Sequence, residues 1–471
     1  MSAERATTAT GLVRFGTPTA RWIIAGTALG SGVAFLDGTV VNIALPAISA
    51  EFHASLAALQ WTVNAYLVML SALLLLGGSL GDHYGRRRVY VIGLAGFTGA
   101  SLLCGLAPNT ASLIAARAVQ GVGAALLVPG SLSIIAASFD HRDRGQAIGA
   151  WSGLAGVSTA LGPFLGGWLI EAASWRLIFL INVPLAGAAI AIALRHVPES
   201  RAHDKRPLDL KGAAFVTVAL AALSFAAINH AGRGGVAAAV AGVTAFVVFI
   251  VIESRNPHAM MPLALFKNAQ FSGGNLVTLT VYAALSGSLF LVVLQLQRTL
   301  HYSPLEAGAA TVPFTLLMLT LSPLSGRVAS RIGARLPMTV GPLFVAASLV
   351  LFSVVRAGSS YVGRVLPAVG CMGLGMAITV APLTAAVLAD IDDEFTGIAS
   401  GINNAVSRFA GLLAVAALPA LAGINARVSL DQGLHEGYAT AMRICAGACA
   451  VGAAIAFGTI RKTARATGAS S

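Results

Sequence analysis

The chain has 471 residues, of which 56% are hydrophobic and 10% charged, with a formal net charge of +12. Soluble domains carry about 25% charged residues, so this composition excludes an ordinary soluble enzyme, a nucleic-acid binder and a disordered chain. A mean hydropathy of +0.81 points instead to a series of membrane spans of about 20 apolar residues each.

Apolar runs between polar breaks predict an all-α membrane protein with fourteen transmembrane helices. They fall at 22–46, 57–80, 88–107, 110–137, 145–171, 175–195, 208–229, 235–253, 270–296, 304–328, 335–356, 361–389, 396–422 and 437–460. The first run follows Arg14 and Arg21, carries Asp37 and is too long for a cleavable leader. The spans at 208–253 have little internal polarity and read as a peripheral pair. The expected organisation is an amino-terminal six-helix half (1–200), an inserted two-helix hairpin (201–265) and a carboxy-terminal six-helix half (266–471).

An even number of spans puts both termini on one side. Of 30 Lys and Arg, 21 fall on that side, including Arg86, Arg87, Arg88, Arg142 and Arg144. Seven fall opposite, and Arg117 and Arg408 lie inside spans. Cytoplasmic loops are the ones enriched in Lys and Arg, so both termini are expected in the cytoplasm. The net charge is then a topology signal, and no nucleic-acid partner is expected. An excess of Arg over Lys suggests GC-rich coding and a bacterial cytoplasmic membrane.

The chain repeats itself. Gly78 to Arg88 (GSLGDHYGRRR) and Gly326 to Arg335 (GRVASRIGAR) both join two spans on the terminal side, and Gly85 and Gly333 lie 248 residues apart. Gly121-Val122-Gly123 is echoed by Gly373-Leu374-Gly375. Repeated halves with a site near the midplane are typical of secondary transporters. The second copy has Ser330 where the first has Asp82.

Charge inside the membrane is costly and marks function by default. Asp37 lies nine residues before Pro46, and Arg117 lies eight after Asn109. At about 1.5 Å per residue both sit roughly 12–14 Å below the same boundary, which permits contact. Burial favours a protonated carboxylate and a nearby Arg favours an ionised one, the competition that a proton carrier needs. Asp82 is expected to favour a helix amino terminus, and Arg86 to meet Asp140 or Asp143 of the next terminal-side loop. Arg408 lies deep in its span, with Asn403, Asn404 and Ser407 on nearby turns. With Asn42, Gln60, Trp61, Asn64, Tyr66, Asn275, Tyr282 and Gln295 it completes a candidate substrate cavity. Ser303 to Glu306 reads as a capping box. The four cysteines read as buried free thiols, and no His or Cys has metal-ligand spacing. No metal, cofactor or catalytic group is expected, nor enzyme activity.

Five motifs in order carry a resemblance over the whole chain. Gly78 to Arg88 resembles the signature between helices 2 and 3 of the major facilitator superfamily, with His83 where Arg or Lys is usual. Leu36-Asp37-Gly38-Thr39-Val40-Val41-Asn42-Ile43-Ala44-Leu45-Pro46 resembles the first-helix motif of its fourteen-helix drug:proton antiporter branch. Arg117 to Gly123 resembles the helix 4 motif, and Gly156 through Gly162-Pro163-Phe164-Leu165-Gly166-Gly167 the helix 5 antiporter motif. Trp175-Arg176 and Asn182-Val183-Pro184 fit the same branch. The resemblance implies proton coupling at Asp37 and Arg117. It implies a conformational latch at Gly78, Asp82, Gly85, Arg86 and Arg87, helix packing at Gln120, Gly121 and Gly123, and an antiporter packing face at Gly162, Pro163, Gly166 and Gly167. The expected protein is a monomeric proton-coupled exporter of small amphiphilic compounds, surrounded by lipid and working by alternating access. Neutral, monocationic or anionic amphiphiles are favoured over dications, because the second half has no deep carboxylate. A dedicated metabolite, peptide or lipid exporter is the alternative; an importer or a non-transport membrane protein fits less well.

Overall fold

A computed structural model describes residues 12–201, 207–229, 233–392, 395–424 and 430–461. Arg5, Lys205, Arg206, Arg427, Lys462 and Arg465, all used in the orientation argument, lie outside these segments. Fourteen helices are long and apolar enough to cross a membrane. They are α1 (Pro18–Phe52), α2 (Leu56–Tyr84), α3 (Arg86–Gly105), α4 (Thr110–Ser138), α5 (Arg144–Ala172), α6 (Leu177–His196) and α7 (Leu210–Ile228). The rest are α8 (Gly234–Arg255), α9 (Ala269–Arg298), α10 (Pro304–Ile332), α11 (Arg335–Phe352), α12 (Tyr361–Leu388), α13 (Thr396–Leu421) and α14 (Leu430–Thr459). The face with Leu12 and Arg461 is called terminal below, and the opposite face distal.

Local chemistry sets the helix ends. Asn109 and Ser112 form a reciprocal capping box at α4. The expected box at Ser303 and Glu306 opens α10, with Pro304 at its first position. Gly85 (φ 115°) and Gly333 (φ 85°) end α2 and α10 in a conformation that suits glycine. Each donates its N–H four residues back, to Gly81 and Ala329. The repeat is therefore present in backbone geometry, not only in letters. Two boundaries depart from the sequence reading by more than four residues. Helix α1 runs past Pro46 to Phe52, because a proline removes one hydrogen bond without ending a well-packed helix. Helix α14 starts at Leu430, ahead of the expected 437, because its first turns carry Asp431, His435 and Glu436.

The packing repeats with a shift of eight helices. Helix α4 lies against α2 and α3, and α12 against α10 and α11. Helix α1 lies against α5 and α6, and α9 against α13 and α14. The same glycines make the close approaches. A Cβ on Gly121 would strike the Tyr66 carbonyl of α2, and one on Gly123 would come 2.5 Å from the Phe97 nitrogen of α3. On Gly373 it would lie 2.9 Å from Phe314 of α10, and on Gly375 2.7 Å from the Val345 nitrogen of α11.

Two seams join the halves, α2 against α13 and α5 against α10. A shift of eight helices exchanges them. The hairpin α7–α8 breaks that symmetry: α7 covers the α2–α13 seam alone. Beneath it lies an apolar cavity of ≈ 510 Å³, lined in part by Leu75, Leu220, Phe249, Met261, Phe266 and Phe409. At the hairpin base two buried acids face Gly212: Asp209 caps α7, and Glu253 accepts the Met261 N–H.

Candidate functional site

Asp37 and Arg117 meet, as their matched depth allows. Arg117 Nη1 donates to Asp37 Oδ2 at 2.5 Å, with both side chains at most 1% exposed. Five helices of the first half build the surroundings. Gln120 Nε2 on α4 donates to Asp37 Oδ1 at 2.9 Å and to Ser101 Oγ of α3 at 3.2 Å. Asn182 Nδ2 on α6 donates to the same two atoms at 3.4 and 3.0 Å. Ser101 donates its own O–H to the Phe179 carbonyl at 2.8 Å. Arg117 also donates to the Thr62 carbonyl of α2 (3.1 Å) and to Gln120 Oε1 (2.7 Å), and its guanidinium carbon stands 4.3 Å from the Tyr66 ring centre.

A buried charge pair is tolerated only when its remaining polar atoms are satisfied. Here the carboxylate has three donors and the guanidinium three acceptors. Gln120, which the motif assigns to helix packing, is also a direct partner of Asp37. Ser101, which was not singled out from the sequence, and Asn182, noted there only as part of a branch motif, join the network. One residue beyond Asp37, Gly38 is exposed and has no atom within 4 Å of where a Cβ would stand. The occluded carboxylate is thus next to an open helix face.

The helix 2–3 loop is bonded inside the first half. Arg86 donates through Nε to Asp82 Oδ1 at 2.9 Å, one turn earlier. The expected pairing with Asp140 or Asp143 is not made. Asp143 takes the Phe15 N–H (3.0 Å) and Asp140 the Arg142 N–H (3.0 Å). Arg87 Nη1 donates to the Val197 carbonyl at 3.1 Å. Glu199, unremarked in the sequence, accepts the Arg87 and Arg88 backbone N–H groups at the start of α3, both at 3.1 Å. Gly78 faces Pro129 of α4, and Gly85 faces the Glu199 carboxylate.

The helix 5 motif packs in two directions. A Cβ on Gly162 would run into Thr39, and one on Gly166 into Val40, both of α1. On Gly167 it would meet the Pro304 carbonyl of α10, whose Gly308 in turn abuts the Pro163 carbonyl. The motif therefore lets α5 press on its own half and on the other at once. Trp175 and Arg176 both bind the Glu51 carboxylate at the distal end of α1, at 2.6 and 2.7 Å.

The cavity candidates divide. Gln60 Nε2 bridges to the Val415 carbonyl of α13 at 2.7 Å, sealing the seam. Trp61 leans on Phe225 of the hairpin. Gln295 holds the Val355 carbonyl inside the second half. Asn403 donates to Asn275 Oδ1 (3.1 Å) and Thr278 Oγ1 (2.7 Å). Asn42 is half-buried on α1 and Asn404 is exposed on α13. Asn64 is buried with neither side-chain atom bonded. Arg408 lies 5.7 Å from the Phe35 ring of α1, within electrostatic reach of Tyr66 and Tyr282. Arg408 therefore has Phe35 as its ring contact, whereas Trp61 and Gln295 find their partners elsewhere.

Two repeated helical halves with a charge network buried in one of them define a polytopic membrane transporter. The chain belongs to the Major Facilitator Superfamily, whose family profile matches residues 27–415 and, again, 274–468. It is 34% identical over 400 residues to the tetracenomycin C resistance and export protein of Streptomyces glaucescens, covering 84% of this chain and 74% of that one. It is 35% identical over 418 residues to the multidrug resistance protein Stp of Mycobacterium tuberculosis, covering 87% and 77%. These relatives place it in the drug-efflux branch. Its fold is similar to the crystal structure of a peptide transporter POT, with a TM-score of 0.68 at 14% identity and 94% of each chain covered.

Proposed function

We propose that this protein is a proton-coupled antiporter that exports small amphiphilic compounds across the bacterial cytoplasmic membrane, with both termini in the cytoplasm. The observation that carries the reading is the occluded Asp37–Arg117 pair, confined to the first half and adjoining the open face at Gly38. A proton arriving at Asp37 weakens its hold on Arg117, Gln120 and Asn182 and so biases how α1, α4 and α6 sit together. Binding that differs between two states shifts their balance. Proton and substrate then favour opposite states, and the two halves rock over a shared site. No cofactor takes part, and a single copy suffices.

The names of the relatives support export of antibiotic-like compounds. A dedicated exporter of one metabolite is the second reading, favoured by the single compound named for the Streptomyces glaucescens relative; a compound panel in a pump-deficient host separates the two. The decisive test is Asp37→Asn in proteoliposomes with an imposed pH gradient. Proton-driven transport is expected to stop while Arg117→Ala reduces it with folded protein retained. Unchanged transport in Asp37→Asn would falsify the coupling assignment.

A further inference from the structure

A guanidinium in the middle of a span costs several kcal/mol and is normally paired. Arg117 is. Arg408, twelve residues into α13, is not: no described carboxylate forms an ion pair with it, and its buried Nε has no hydrogen-bond partner. The contact with Phe35 is a cation–π interaction of about 0.5–2 kcal/mol, too little to offset that cost. The surrounding phenols of Tyr66 and Tyr282 are neutral.

A second unpaired polar group lies on the facing helix. Gln60 against Val415 and Leu75 against Gly401 fix α2 and α13 in one antiparallel register. That register places Asn64, whose Oδ1 and Nδ2 are buried and unbonded, one turn from the level of Arg408. The two helices belong to different halves, so a molecule bound between them touches both. The apolar cavity beneath the hairpin takes in Ile402, Ala405, Val406 and Phe409 on another face of α13, and neither Arg408 nor Asn64 lines it.

The charges add up simply. Asp37 and Arg117 cancel, which leaves Arg408 as one uncompensated positive charge between the halves. We propose that Arg408 is the anion-binding group of the substrate site. The substrates are then amphiphiles that carry one acidic group, a carboxylate or phenolate, on an apolar body. The planar guanidinium fork suits a carboxylate, and Asn64 supplies a neutral donor and acceptor. This rests on the export reading and names its substrate class.

The test compares binding of 1-naphthylacetate, its methyl ester and 1-naphthylmethylamine to the purified full chain by calorimetry. The wild type is expected to bind the acid roughly 10–100-fold more tightly than the ester, the range for one charge-assisted hydrogen-bonded contact in a dry site. Arg408→Gln brings the two affinities together by weakening the acid more than the ester, and Arg408→Lys restores part of the preference. Equal or tighter binding of the ester or the amine by the wild type overturns the assignment without needing any variant to fold. So does a preference for the acid that survives Arg408→Gln. The same acid is then followed in proteoliposomes under a pH gradient. If it binds through Arg408 but is not moved by the gradient, Arg408 stands and the export reading fails.

Discussion

At the scale of the residue, the central fact is that Asp37 is both buried and fully bonded. Losing one partner from a buried charge pair leaves an uncompensated charge and costs about 3–5 kcal/mol, so each surrounding donor matters. Gln120 does the most, because it donates to Asp37 and Ser101 and accepts from Arg117. Gln120→Ala is expected to destabilise the protein by about 1–3 kcal/mol, seen as a lower melting temperature in detergent, and to slow gradient-driven transport. A variant with wild-type melting and transport would remove Gln120 from the network. Asp37 and Arg117 were legible because an ionised group stands out in an apolar run and helix rise converts position into depth. Ser101 and Asn182 were not legible as partners. A lone Ser or Asn in a span is common, and only the packing of α3 and α6 shows what it faces.

At the scale of the element, short-range geometry decided what the sequence left open. Helix α2 runs to Tyr84 and α3 starts at Arg86, so Asp82 and Arg86 are one turn apart across a glycine. A neighbour at that spacing outcompetes Asp140, whose carboxylate takes the Arg142 N–H, and Asp143, which Arg14 and Phe15 already occupy. Pattern reading gave every span of α5 but not its two faces, since Gly162 and Gly166 meet α1 while Gly167 meets α10. That division makes a prediction. Gly167→Val has no room beside the Pro304 carbonyl, so α5 must move off α10 at the distal face. With native cysteines replaced, a cysteine at Ser303 should then react faster with a membrane-impermeant thiol reagent than in the Gly167 parent. An unchanged labelling rate would mean that the glycine is not what seals the contact.

At the scale of the whole molecule, the hydrogen bonds that join the halves among the described residues all lie toward the distal face. Gln60 reaches Val415 and Ala416, Gln297 reaches the Ile43 carbonyl, and Ser303 and Leu305 reach Glu171. Toward the terminal face the helix 2–3 loop bonds only within its own half. The molecule is thus held shut at one end by a handful of polar contacts, each of which contributes about 0.5–1.5 kcal/mol net. That polar share is small, as the alternating access proposed above requires, and it adds to the close packing of α5 on α10. Ser303 Oγ and Glu171 Oε2 are 2.8 Å apart, which places two helices from different halves within reach of a short cross-linker. In a cysteine-free background, Glu171→Cys with Ser303→Cys should be joined by a short bis-methanethiosulfonate reagent that fixes the distal face closed. Transport is expected to stop on cross-linking and to return with a reductant, while either single cysteine transports throughout. Transport that continues through the bridged protein would mean the distal face need not open, and that rocking of the halves is not how this chain moves its substrate.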